Sequence, residues 1–159
     1  QSRSSAASDV YKRQRQYIDN MSDPKSLQRL LAVQALYQIS INELSNENSF
    51  DTILEEAMHQ PGLEELKKKP NYNYAKKILN GFMDNSTQID LLIRTSLTTS
   101  RSLDKLDNLI HAILKLAVYE MKFGPKVPKK VVINEYLNIS HIFFTGTESR
   151  LINGVLDSF

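Results

Sequence analysis

The sequence predicts an all-helical protein with six or seven helices. Three observations carry this. Apolar residues recur three and four apart along most of the chain, the spacing of a helix with one buried face. No stretch keeps the apolar–polar alternation that a half-buried strand needs. The chain has 159 residues, 41% of them hydrophobic, which is enough for a sizeable core without covalent staples.

Residues 1–20 stand apart. The first fourteen, from Gln1 to Gln14, are rich in Ser and Ala and lack both a sustained apolar face and the apolar region of a signal peptide. Their string resembles a translated sequencing adapter, so they are expected to be a non-native leader outside the fold, with Met21 as the expected natural start. The alternative is a basic tail that touches RNA.

Ser22-Asp23-Pro24 is a helix-start signal, with Asp23 able to accept from exposed N–H groups and Pro24 suited to the first helical position. Leu27, Leu30, Leu31, Ala35, Leu36 and Ile39 then give a stripe to about residue 41. Asn42 to Asn48 is polar and predicts a loop. Phe50, Ile53, Leu54, Ala57 and Met58 form the next stripe, ended by Pro61-Gly62. A charged connector over 63–73 follows.

From Tyr74 a stripe through Ile78, Phe82, Ile89, Leu92 and Ile93 predicts one helix. Gly81 within it costs about 1 kcal/mol of helix propensity, which suggests a close helix crossing. Ser96 to Ser102 is a break. Leu103 to Lys122 is apolar on nearly every face, so it is predicted to be the central helix. Gly124-Pro125 closes it, and Pro128 opens the next, which carries Val131, Val132, Tyr136 and Leu137. Thr145 with Glu148 fits a capping box ahead of Leu151, Ile152, Val155, Leu156 and Phe159. The last stripe stops without a C-cap signal, so the natural C-terminus is expected to lie further on.

The net charge is +2, and that excess sits in residues 1–20; the rest carries sixteen basic and sixteen acidic side chains. RNA binding by bulk electrostatics would need a clearer excess, so any such binding must be local or shared with a partner. There is no cysteine, which excludes disulfides, thiolate metal sites and cysteine nucleophiles. No apolar run reaches the ~18 residues of a membrane span, and a cytoplasmic setting is expected. His59, His111 and His141 are scattered without ligand spacing, and no glycine-rich phosphate loop occurs. Neither cofactor nor metal is expected. Glu120 and Glu135 could suggest acid–base chemistry, but no nucleophile or ligand set accompanies them, and hydrogen bonding between helices is the expected role. Lys67 to Lys69 and Lys76-Lys77 have glutamates nearby in sequence and are expected to form a solvated charged face.

Four segments resemble the NusB family of bacterial transcription antitermination factors. They are Ala32-Val33-Gln34-Ala35-Leu36-Tyr37, the run from Ala112 to Met121, the run from Val127 to Glu135, and Ile152-Asn153-Gly154-Val155-Leu156-Asp157. They follow the family's order and spacing over about residues 21–159. The resemblance implies two packed helical bundles, an N-terminal one over about 21–95 and a C-terminal one over about 96–159, in a non-enzymatic factor that pairs with a NusE-type ribosomal small-subunit protein. Such a pair binds boxA-type RNA within the RNA polymerase antitermination complex, notably on ribosomal RNA operons.

The resemblance further implies RNA contacts at Lys25 and Arg29, where the family has an arginine-rich helix start, at Thr147 and Arg150 near the last helix, and at Tyr37, which could equally pack between helices. Gln34 is expected to pack. Asp104 and Ile110 are the implied partner-binding residues. Leu151 stands where the family often has a stacking Phe. Two other readings fit the residues: the NusB-like N-terminal domain of a ribosomal RNA cytosine methyltransferase, and a helical adaptor that has lost RNA binding.

Overall fold

The computed structural model describes residues 3–42, 50–60, 62–66, 70–97 and 106–159. Among them are eight helices and no strand: α1 (Arg3–Asn20), α2 (Pro24–Ile41), α3 (Phe50–Met58), α4 (Asn73–Asp84), α5 (Ser86–Ser96), α6 (Asn108–Lys122), α7 (Lys129–Phe143) and α8 (Thr147–Asp157).

The apolar stripes explain the packing. α6 carries nine buried residues, from Ile110 to Glu120, and touches α2, α4, α5, α7 and α8. It is the shared axis of two groups. On one, α2 packs against α3 and α4, and α4 continues into α5; on the other, α7 packs against α8 and α1. The buried apolar side chains of both groups form a single cluster. No helix among the described residues is long and apolar enough to cross a membrane.

Gly81 lies where the crossing was expected. A Cβ built there would fall 2.1 Å from Tyr119 Cζ, so only a glycine lets the α6 tyrosine lie against α4.

Four sequence expectations change. The predicted single helix from Tyr74 is broken at Asn85, whose Nδ2 donates to Gly81 O (2.8 Å). An asparagine side chain that bonds back to the turn competes with helix continuation. The central helix starts at Asn108, later than expected, where Asp107 caps it by accepting from Leu109 N (2.7 Å); Leu103, the expected start, lies outside the described residues. The capping box at Thr145 and Glu148 does not form. Gly146, at φ +78°, is the N-cap of α8 and no side chain caps it, so Thr145 lies one residue too early.

The leader is also not outside the fold. It forms α1, which buries Gln14 and Ile18, and Arg13 Nε donates to Ile142 O (2.8 Å). Its helical face comes from residues 10–18, which straddle the end of the serine-rich stretch. The break after Ser96, the acidic–polar loop before Phe50 and the lysines 67–69 fall largely outside the described residues.

Candidate nucleic-acid interface

The start of α2 is built as the sequence predicts. Asp23 is its N-cap, Oδ1 accepts from Lys25 N (2.9 Å), and Pro24 occupies the first turn. This holds Lys25 at the exposed end of the helix, its Nζ 5.0 Å from the centre of the Tyr74 ring.

One turn on, Gln28 is 6% exposed, and its Oε1 accepts from Tyr74 N (2.6 Å) and Ala75 N (3.1 Å). These are donors that the first turn of α4 cannot satisfy within the helix. Gln28 therefore ties the start of α4 to the side of α2. The result is a shallow groove lined by Asp23, Pro24, Lys25, Gln28, Asn71, Asn73, Tyr74 and Lys77.

Arg29 does not share this surface. It is 1% exposed, which overturns the expectation that it faces RNA. Its Nε donates to Glu120 Oε2 (2.9 Å) and Oε1 (3.1 Å), and its Nη2 donates to Oε1 (3.0 Å). Its Nη1 lies 3.6 Å from Glu135 Oε2. The hydroxyls of Tyr74 and Tyr136 also donate to the Glu120 carboxylate, and Ser26 Oγ donates to Glu135 (2.9 Å).

One guanidinium thus joins α2, α6 and α7, with Tyr74 of α4 attached through Glu120. The physical reason is position. Arg29 stands one turn before Val33 on a face of α2 that is buried throughout, and a charge can remain there only if it is paired. Burial works against the Arg29 charge, but the Glu120 bonds and charge outweigh it and hold the pKa above its already high value. Burial, together with the Glu120 bond and charge, pushes both tyrosines up, so they stay neutral donors. Glu120 and Glu135 have the helix-joining role expected of them.

The second cluster lies at the start of α8. Thr147 and Arg150 are both exposed, and Arg150 Nη2 comes near Gly146, 3.9 Å from where a Cβ would stand. Ser149 Oγ meets Ser140 Oγ at 3.0 Å, which pins this helix start to α7. An uncapped helix N-terminus with an arginine beside it favours anions. Leu151 is half-buried against the core.

Tyr37 is half-buried and packs on the core, and Gln34 Nε2 donates to Gln14 Oε1 (3.4 Å). Ile110 is 5% exposed on α6, which leaves little of it for a partner, and Asp104 lies outside the described residues. Lys25 lines the groove with α4, while Arg150 lies on α8 outside it.

Sequence reasoning missed Gln28, Tyr74 and Lys77 as groove residues. The only local signal was a polar pair, Gln28-Arg29, inside an apolar run. Among the described residues, no three His, Asp or Glu side chains gather as metal ligands.

The family model described as NusB matches residues 26–159. The chain is similar to the transcription antitermination protein NusB of Allorhizobium ampelinum, with 36% identity over 132 residues, 81% of each chain. It is also similar to that of Caulobacter vibrioides, with 32% identity over 139 residues, 87% of this chain and 93% of the relative. Among solved structures it resembles T. maritima NusB, with TM-score 0.68 and 30% identity over 87% of this chain and 91% of that one. A crystal structure of NusB and NusE with double-stranded RNA shares the fold, with TM-score 0.69 and 22% identity over 87% and 96%.

Proposed function

Because this chain belongs to the NusB family, we propose that it is a transcription antitermination factor that binds boxA-type RNA together with a NusE-type ribosomal small-subunit protein. The carrying observation is the family match over 26–159, with relatives that are transcription antitermination proteins rather than enzymes. The methyltransferase reading gains nothing from these relatives. The protein acts within the RNA polymerase antitermination complex, in the cytoplasm, and uses no cofactor of its own.

The surface is consistent with shared binding. Outside residues 1–20 the chain is charge-balanced, and burial of Arg29 removes one cation from the expected RNA face. The remaining RNA contacts in this reading are Lys25, Thr147 and Arg150, with Tyr37 contributing its exposed edge. Asp104 is assigned to the partner side; Ile110, 5% exposed, is left to the core.

Few phosphates can be neutralised by this chain alone, so its isolated RNA binding should be weak with a shallow salt slope. A titration of boxA and scrambled RNA against the chain, with and without the NusE-type protein, tests this. The expected outcome is a clear boxA preference that appears or strengthens with the partner. Equal affinity for both RNAs with the partner present would leave only a helical adaptor.

A further inference from the structure

We propose that the groove between the starts of α2 and α4 is a phosphate-binding track that carries RNA backbone from Lys25 onto Lys77. This rests on the reading of the chain as an RNA-binding factor and adds to it a second element, α4, whose lysines the sequence marks only as a solvated face.

Four observations converge. Lys25 and Lys77 line the same groove from different helices, and both are exposed. Among the described residues neither has a carboxylate within ion-pair distance, whereas the adjacent Lys76 is paired with Asp51 at 3.0 Å. Two helix N-termini border the groove, those of α2 and α4; Asp23 and Gln28 already accept from first-turn N–H groups, so what the termini add is a dipole field, stronger at α4, where the acceptor is neutral. Among the described residues the only acidic side chain lining it is Asp23, which is engaged in capping α2.

The remaining lining suits backbone rather than bases. Asn71 Oδ1 accepts from Asn73 N (3.2 Å), so its amide hydrogens remain as donors for phosphate or ribose oxygens. Tyr74 is 8% exposed, with its ring beneath Lys25, so it supports the lysine and offers no face for stacking. Contacts of this kind position nucleic acid without reading sequence. The groove is not an accident of loose packing, because Gln28 fixes the two helix starts through two hydrogen bonds.

The test uses the full chain with the NusE-type protein, and boxA and scrambled RNA over a range of salt concentrations. Lys77→Gln should weaken both RNAs several-fold and alike, and should lower the salt slope by about one unit. Lys25→Gln/Lys77→Gln should lower it by about two. Lys126→Gln, at an exposed lysine outside the groove, should leave affinity and slope at wild-type values. Thermal melts of the variants should match the wild type, since these side chains are exposed. Wild-type slope and affinity in Lys77→Gln, with boxA binding intact, would overturn the track and leave the functional reading standing. Equal losses in Lys126→Gln and Lys77→Gln would also overturn it, since the effect would be one of net charge. Absence of RNA binding by the wild-type pair would overturn both.

Discussion

Glu120→Ala is expected to destabilise the protein by about 3–5 kcal/mol. The carboxylate is 0% exposed and accepts from Arg29, Tyr74 and Tyr136. Removing it leaves a buried guanidinium with only the longer Glu135 contact and two buried phenols without the carboxylate they donate to. The partial contact with Glu135 at 3.6 Å cannot replace a bidentate pair at hydrogen-bond distance. Replacing both charges by apolar residues of similar volume removes the stranded cation, so Arg29→Met/Glu120→Leu should cost less than Glu120→Ala alone. Urea unfolding followed by circular dichroism checks both. A loss below about 1 kcal/mol for Glu120→Ala would show that the cluster is not formed in solution.

Leu116→Ala should cost about 2–5 kcal/mol. Leu116 is fully buried on α6, the helix that every element of the two groups except α1 and α3 packs against in quantity. The substitution removes apolar contact and leaves a cavity that cannot close without moving several helices together. The expected signature in the same urea experiment is a lower midpoint with an unchanged slope, since the two groups share one core. A loss under about 1 kcal/mol would mean that α6 is not the central element.

The fold was largely legible because helical periodicity is a local signal. The stripes of α2, α3, α6, α7 and α8 are complete enough to mark both the elements and their buried faces. Boundaries were less legible where one side chain decides them. Asn85 bonding back to Gly81 splits α4 from α5, and Gly146 at positive φ displaces the cap expected at Thr145. Both depend on a backbone geometry that residue types permit but do not dictate.

The candidate site was legible only in part, for a different reason. Lys25, Thr147 and Arg150 are exposed, as a family-based reading needs. Arg29 looked the same in sequence, yet its partner Glu120 lies 91 positions away. Long-range pairing decides whether an arginine faces solvent or the core, and no local pattern reports it. Lys76 and Lys77 show the same limit. One pairs with Asp51 and the other lines a groove, although they are neighbours in a run with one expected role.

The most direct measurement of the central claim is terminator read-through by RNA polymerase on a template carrying boxA upstream of a terminator, in the presence of the other antitermination factors. Adding this chain should raise read-through on the boxA template and leave a scrambled-boxA template unchanged. Identical read-through on both templates, with and without the chain, would contradict an antitermination role.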